Sequence, residues 1–265
     1  MILTIDIGNT HISFGGADAA GNVTEILQIA TDHTETSYGY AAKIKQVLEL
    51  AGIDPAGFEG AALSSVVPPV TEAVKGAATL VCGHTPLCVG AGVKTGLHIA
   101  IDDPGTIAAD LVAGAVAAKQ LYPLPCVIVD MGTATTIMLV DEKGRFAGGC
   151  ILPGAGISLE ALSRRAALLP RTELTPPVRA IPTNTVDCMR AGILWGAAGA
   201  VDGILDRFAE TLGQEPASIV ATGGLSAALA PHCRHTMLHD PALVLKGLAF
   251  IWQKTRDAEA KKSRF

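Results

Sequence analysis

Apolar and polar positions along the first half of the chain predict alternating strands and helices. The opening stretch, 2–7, is apolar on both sides of Asp6 and predicts a buried strand. The following segments alternate in the same way, with further strands predicted at 10–14, 22–29, 61–67 and 86–89 and helices at 38–51, 70–80 and 106–121. This order of elements is typical of an α/β fold.

At Val127 the same pattern begins again. Strands are predicted at 127–131, 135–141, 145–152 and 219–222, and helices at 157–167, 184–212 and 243–254. The 184–212 segment fits either one long helix or two helices joined near 196–199, where glycines interrupt the pattern.

The repeat itself is the most informative feature of the sequence. Asp6 and Asp130 each stand in an apolar strand, each is followed two residues later by glycine, and hydroxyl side chains come close behind. Internal repetition of this kind predicts two similar domains, 1–117 and 118–265. Because ligands bind at the carboxyl ends of strands in such sheets, we expect the site in a cleft between the domains.

Composition and charge exclude several classes of protein. The chain has 265 residues, of which 49% are hydrophobic and 17% charged, so it can bury a large core and is not a disordered protein. Its net charge is −5 and basic residues cluster only in the tail 254–264, which argues against nucleic-acid binding. We also expect no signal peptide, no apolar run long enough to span a membrane, and reduced cysteines typical of the cytosol.

A group of potential metal ligands lies near the end of the chain, at His232, Cys233, His235 and His239. A zinc site is one interpretation, but no second ligand pair with finger or ribbon spacing accompanies the group. A loop that carries ordinary histidines is the prediction that the spacing favours.

The two Asp-x-Gly turns point to phosphate chemistry. A carboxylate at the end of an apolar strand is costly to bury unless it binds a charge, and the N–H groups after the glycine can hold phosphate oxygens. A carboxylate beside such a turn is suited to Mg²⁺ bound to a nucleotide. A single copy is more often an ordinary turn, but here two copies occur, with a third glycine pair at Gly223 and Gly224. The chain has no Walker-type phosphate loop.

These residues resemble the actin-like ATPase and acetate-and-sugar-kinase superfamily, whose ribonuclease H-like domains close around ATP. Over nearly its whole length the chain is similar to type III pantothenate kinases. The segments that carry the resemblance are 5–10, 64–68, 94–97, 130–136, 153–154, 158–162, 184–185, 222–224 and 245–248.

The resemblance implies ATP-dependent phosphorylation of pantothenate to 4'-phosphopantothenate, the first step of coenzyme A synthesis, with Mg²⁺ and with K⁺ or NH₄⁺. It implies a cytoplasmic homodimer whose second subunit helps to enclose pantothenate. It assigns the general base to Asp110 and the monovalent-cation ligand to Asp130. The ATP contacts that it implies are Asp6, Ile7, Gly8, Asn9, Thr10, His11, Ile12, Ser13 and Thr133, and the substrate contacts are Ala108, Ala109, Asp110, Leu111 and Thr185.

The substrate half of the pattern departs from the family at two positions. Leu111 stands where the family has an arginine that serves the bound substrate, and Ile101 stands where a tyrosine is expected. Two alternatives therefore stay open: a kinase for another small hydroxyl compound, or a nucleotide-binding regulatory protein without turnover. Without the resemblance, Asp110 would also fit an acid that is simply favoured at a helix N-terminus.

Overall fold

The computed structural model describes residues 1–90, 92–176, 179 and 181–262, with the side chains of 261 and 262 left out. Of the basic tail predicted from the sequence, Arg264 and the side chains of Lys261 and Lys262 therefore lie outside the described residues. The chain forms two compact units, one comprising Met1–Leu121 with Ala242–Phe265 and the other Tyr122–Pro241.

The first unit is built on a five-stranded mixed sheet with the strand order β3-β2-β1-β4-β5. The central strand β1 pairs antiparallel with β2 and parallel with β4. The strands are β1 (Ile2–Ile7), β2 (His11–Ala17), β3 (Leu27–Ala30), β4 (Ala61–Ser65) and β5 (Leu87–Cys88), and the short strand β6 (His98–Ile99) follows.

Helices cover both faces of this sheet. The helices are α1 (Ser37–Leu50), α2 (Pro68–Cys82), α3 (Ala109–Leu121) and α7 (Leu243–Lys262). Leu3, Ile5 and Ile7 share a buried cluster with α1 and α2, whereas Ile2 and Ala62 pack with α3 and α7. Because side chains alternate along a strand, Asp6 is directed to the α3 and α7 face.

The second unit repeats this topology. Its strands are β7 (Cys126–Met131), β8 (Ala134–Val140), β9 (Arg145–Pro153), β10 (Ser218–Thr222) and β11 (Leu238–His239), and its helices are α4 (Ala155–Arg165), α5 (Thr185–Leu212) and α6 (Ser226–Leu229). Here β7 takes the place of β1, pairing antiparallel with β8 and parallel with β10, in the order β9-β8-β7-β10-β11. The predicted α/β repeat is confirmed.

Two details of the structure differ from the predicted domains. The boundary between the units falls after Leu121, and the final helix α7 belongs to the first unit, whereas the sequence analysis assigned all of 118–265 to the second domain. The physical reason is packing: Leu245, Leu248 and Ile251 of α7 are buried in the cluster that also contains residues of α3 and of the first sheet.

Local boundaries differ for equally specific reasons. The predicted helix at 106–121 begins at Ala109, because residues 104–106 form a separate 3₁₀ turn in which the Asp103 carboxylate accepts the Gly105 N–H. The segment 184–212 is one continuous helix, α5, whose first turn is capped by Asn184.

Helix α5 has the length and hydropathy of a membrane span, a property that the predicted absence of a long apolar run did not anticipate. Its mean hydropathy reaches 1.2 over eighteen residues. One side of the helix nevertheless packs into the second unit's core through Leu194, Val201 and Leu205. The apolar character of that side is explained by the core of this unit.

Candidate active site

In the first unit, the candidate site begins with Asp6 at the carboxyl end of the central strand. Asp6 is partly exposed, and its Oδ1 accepts a hydrogen bond of 2.6 Å from the hydroxyl of Ser64, its neighbour on β4. The sequence analysis included Ser64 among the segments that carry the resemblance but gave it no role. The signal was available, because two serines follow the apolar residues of β4, and Ser64 pairs with Asp6.

The turn between β1 and β2 presents polar side chains to solvent. Asn9, Thr10 and His11 are exposed, whereas the side chains of Ile7 and Ile12 are fully buried. Any contact that Ile7 or Ile12 makes with a ligand must therefore come from the main chain.

Hydrogen bonds fix the shape of this turn. The Gly8 N–H donates to the carbonyl of His11 over 3.0 Å, and the Thr31 hydroxyl donates to the carbonyl of Gly8 over 2.7 Å. Ser13, which follows on β2, accepts a hydrogen bond from the Gln28 side chain. The turn is thus held by the neighbouring strand and by the segment after β3, which leaves its exposed side chains in a defined place.

Asp110 lies in the first turn of α3 and is partly buried. Its Oδ1 accepts a hydrogen bond of 2.7 Å from the N–H of Leu111, and burial raises the pKa of the carboxyl above its usual value. The helix continues into a wholly buried stretch, 112–118, so its start is held firmly. Its chain neighbours Ala108, Ala109 and Leu111 are partly buried, as is Ile101.

In the second unit, three glycine-containing turns meet at the carboxyl end of β7. Asp130 is the penultimate residue of this strand, and a side chain at Gly223 would collide with Asp130 Oδ1. The Gly154 N–H donates to the carbonyl of Thr133 over 3.1 Å, and a side chain at Gly154 would collide with the same carbonyl. Gly154 lies in one of the segments that carry the resemblance, but no role was predicted for it. Its role becomes visible only in the structure, where α4 begins against the Gly132 turn.

One buried hydroxyl beside Asp130 has no partner. Thr136 stands opposite Asp130 in the antiparallel β7–β8 ladder, so the two side chains share one face of the sheet. Thr136 Oγ1 is buried, and it makes no hydrogen bond within the described residues. An unpaired buried hydroxyl is uncommon because it costs free energy, and it fits a position that a ligand completes.

Thr185 opens helix α5 and is exposed. In the next turn Arg190 forms an ion pair of 3.5 Å with Asp187, and its Nε donates to the carbonyl of Glu173. These contacts connect Glu173 to the first turns of α5.

The histidines and cysteine near the end of the chain form ordinary contacts rather than one ligand set. His235 Nε2 lies 2.8 Å from Asp206 Oδ1, and His239 Nε2 lies 2.9 Å from the hydroxyl of Ser226. Burial, with a smaller contribution from Asp202, raises the pKa of Cys233 to about 11. Among the described residues no group of three potential ligands is placed to hold a metal ion.

Comparison with solved structures identifies the class of fold. The chain resembles the activator of 2-hydroxyisocaproyl-CoA dehydratase from Clostridium difficile, solved with bound ADPNP, with a TM-score of 0.59 at 13% identity, covering 99% of this chain and 97% of that one. It also resembles ROK hexokinase from Thermus thermophilus, with a TM-score of 0.53 at 14% identity, covering 97% of this chain and 99% of that one. The fold is that of the actin-like ATPases and related kinases.

Sequence comparison identifies the family within that class. The family model for type III pantothenate kinase matches residues 2–207. The type III pantothenate kinase of Moorella thermoacetica is 41% identical over 254 residues, which is 96% of this chain and 99% of the relative. That of Bacillus cytotoxicus is 40% identical over 262 residues, 99% of each chain. The chain belongs to the type III pantothenate kinase family and is a kinase.

Proposed function

We propose that this protein transfers the γ-phosphoryl group of ATP to the primary hydroxyl of pantothenate, giving 4'-phosphopantothenate for coenzyme A synthesis. The observation that carries the proposal is the near-full-length identity of about two residues in five to curated pantothenate kinases. The strand-end carboxylates Asp6 and Asp130, each beside a glycine turn, supply the chemistry that phosphoryl transfer needs.

The β1–β2 turn is the proposed phosphate site of the first unit. Main-chain N–H groups over 7–13 and the exposed side chains of Asn9, Thr10 and His11 are suited to bind phosphate oxygens. The Asp6 carboxylate at the base of this turn fits a Mg²⁺ ion that accompanies ATP. In the second unit, exposed Thr133 is the corresponding hydroxyl contact. ATP supplies the phosphoryl group, and the chain holds and orients it.

Asp110 is the proposed general base. Burial raises the pKa of its carboxyl, which makes its carboxylate a better proton acceptor than that of an exposed aspartate. Its work is to orient the substrate hydroxyl and to accept its proton late in the transfer, because positioning dominates catalysis of this reaction.

Asp130 is the proposed ligand of the monovalent cation, K⁺ or NH₄⁺. The residues around it fit such an ion: the Thr136 hydroxyl opposite is buried without a partner, and Gly223 leaves room beside the carboxylate that any side chain would fill. A carboxylate with neutral oxygen donors is a donor set that hard cations accept. The cation would offset negative charge at this end of β7.

The substrate contacts are proposed at Thr185 and at 108–111. Leu111 provides no positive charge for the pantothenate carboxylate. Either another cationic side chain binds this carboxylate, or the affinity for pantothenate is low. Three candidates come from the sequence: Lys94, Lys119 and the partner subunit's Arg190. Lys119 is poorly placed to bind the pantothenate carboxylate, because it lies at the opposite end of α3 from Asp110. There its ammonium group donates to the carbonyl of Gly96.

A cytoplasmic homodimer completes the proposal. Along α5, Gly192, Gly196 and Gly199 are exposed, and a side chain added at any of them would meet nothing. Leu168 and Ile181 of the same unit are 94% and 83% exposed. A second copy of the chain would cover these apolar positions, and small residues allow two helices to approach closely.

The decisive test measures ADP release from ATP by the purified protein, with pantothenate present and absent, together with rescue of a bacterial strain that lacks pantothenate kinase. We expect ADP release that depends on pantothenate, and growth of the strain. Release with a panel of other alcohols but not with pantothenate would reassign the substrate. Binding of ATP without any release would indicate a regulatory protein.

A further inference from the structure

Ser64 lies at the carboxyl end of β4, directly beside Asp6. The two residues are opposite each other in the parallel β1–β4 ladder, and the Ser64 hydroxyl donates to Asp6 Oδ1 over 2.6 Å. Ser64 is fully buried, whereas Asp6 is partly exposed. The hydroxyl therefore approaches the carboxylate from inside the protein, opposite to the side on which solvent or a ligand arrives.

The adjacent serine, Ser65, has a structural role. The Ser65 hydroxyl accepts the N–H of Val67 and shares a 2.7 Å hydrogen bond with Thr71, so it fixes the beginning of α2. The Ser64 hydroxyl donates instead to Asp6. Two neighbouring serines thus serve the fold and the carboxylate separately.

Burying a hydroxyl at position 64 costs desolvation free energy, and packing alone does not explain why a serine is present there. The three residues of β4 that precede Ser64 are apolar and buried: Ala61, Ala62 and Leu63. Burying a hydroxyl is unfavourable unless it forms a hydrogen bond. A hydrogen bond to a charged acceptor is shorter and stronger than a neutral one, and it restricts rotation of the carboxylate.

We propose that Ser64 is a positioning residue that holds the Asp6 carboxylate in the orientation needed to bind the magnesium complex of a nucleotide. The proposal rests on the proposed function, in which Asp6 serves ATP and its cation. Hydrogen-bond partners of ligating carboxylates orient them, and their loss lowers metal affinity or activity by about tenfold to a hundredfold. A carboxylate free to rotate would lose that preorganisation.

The test substitutes Ser64→Ala and measures binding of MgATP, and of ATP without Mg²⁺, by calorimetry in the absence of pantothenate. We expect affinity for MgATP to fall about tenfold or more, affinity for ATP alone to change little, and kcat to fall while the KM for pantothenate stays near the wild-type value. Ser64→Thr, which keeps the hydroxyl, should restore both properties. The matched control Ser65→Ala should lower the melting temperature and leave MgATP affinity unchanged.

The dependence on Asp6 separates positioning from a general structural effect. In an Asp6→Asn background, Ser64→Ala should cause no further loss of MgATP affinity, because the group that it positions is gone. An equal loss in both backgrounds, or unchanged MgATP affinity in the single variant, would overturn the proposal. If Ser64→Ala does not fold, Ser64→Cys keeps the volume with a weaker donor and is judged by the same affinities. A wild type that binds MgATP but ignores pantothenate would refute the proposed function alone.

Discussion

Burial has two opposing effects on Asp110. It makes the carboxylate a better proton acceptor, and it makes the ionised form less stable in the folded protein. Its folded-state pKa is raised by burial above the value in an unfolded chain. Its favourable contribution to stability is therefore complete below the unfolded pKa and is lost as pH rises through the raised folded pKa. Above the folded-state pKa, the buried ionised carboxylate lowers the free energy of unfolding.

Asp110→Asn should consequently be less active and no less stable. We expect kcat to fall about a hundredfold, the scale of a lost general base, with nucleotide affinity retained. Melting temperatures measured from about pH 4 to about pH 8 should show the variant at or above the wild type at neutral pH, with the difference closing toward acid. Asp257→Asn, at an exposed position of α7, is the control and should change neither property. A variant with wild-type kcat would show that Asp110 is not the general base and is only an acid favoured at the N-terminus of a helix.

Leu111 allows a second test at the scale of one side chain. A hydrogen bond between arginine and a carboxylate contributes roughly 1.5–3 kcal/mol, which corresponds to about a tenfold to hundredfold change in affinity. If nothing replaces the missing charge, Leu111→Arg should lower the KM for pantothenate by about that factor and leave kcat unchanged. Ile101→Tyr should act in the same direction. Steady-state kinetics decide the matter, and a neutral or harmful Leu111→Arg would show that another cation already binds the carboxylate.

At the scale of elements, the glycine turn after β10 is constrained both by its backbone conformation and by its neighbours. Gly223 has a φ of 88°, and a side chain there would collide with Asp130 Oδ1, whereas Gly213, at the end of α5, has a φ of 69° with open space around it. Both positions resist alanine because of their backbone conformation. Only Gly223 also crowds the proposed cation ligand.

The pair Gly223→Ala and Gly213→Ala separates these two effects. Gly213→Ala should cost about 1–2 kcal/mol of stability, the strain of the left-handed conformation, and leave activation by K⁺ unchanged. Gly223→Ala should cost more and should weaken activation by K⁺ or NH₄⁺, because the Asp130 carboxylate is displaced. Chemical denaturation and rates measured against chloride salts of K⁺, NH₄⁺ and Na⁺ provide the comparison. Equal salt dependence in both variants would argue against a cation at Asp130.

Several elements could be predicted because their pattern is local, and others could not. The central strands and the repeat follow from apolar runs that end in Asp6 and Asp130. Strand β2, however, runs on through Gly15 and Gly16 to Ala17, whereas the predicted strand ended at residue 14. Gly15 is needed there because a side chain would lie 2.5 Å from the carbonyl of Glu25. Glycine marks both turns and close approaches, and a single sequence does not distinguish them.

On the scale of the whole molecule, the packing of α7 in the first unit could not be predicted from the local sequence pattern. Its apolar face requires a partner, but sequence spacing does not say which one. The contact is very close at one point, where a side chain added to Gly247 would collide with the carbonyl of Ala113 in α3. The same helix α3 carries Asp110 in its first turn, so a change in the packing of α7 against α3 should also affect the position of the proposed base.

Gly247→Ala tests that packing against a change of the same kind elsewhere. Glycine to alanine within a helix ordinarily stabilises by up to about 1 kcal/mol, and Gly203→Ala in α5, which has room, should do so. Gly247→Ala should instead destabilise by about 1–3 kcal/mol through overpacking and lower kcat as α3 shifts. Urea denaturation and steady-state rates measure both effects. A stabilised, fully active Gly247→Ala would contradict the close contact of α7 with α3.

The proposed homodimer depends on the exposed glycines of α5, and one substitution there can disrupt it without harming the fold. At Gly196 an added side chain meets nothing within the chain, and glutamate is a better helix former than glycine, so Gly196→Glu should keep or raise the melting temperature. A charge buried in a helix–helix interface without a partner is strongly unfavourable, so the variant should sediment as a monomer.

Sedimentation velocity and kinetics on the same preparations complete this test. If the second subunit helps to enclose pantothenate, the monomeric variant should show a raised KM for pantothenate with its affinity for MgATP retained. Gly57→Glu places the same charge at another exposed glycine with open space, in the first unit, and should stay dimeric and active. A Gly196→Glu protein that remains dimeric would move the interface away from α5. A wild type that is monomeric at assay concentrations and fully active would remove the second subunit from the substrate site.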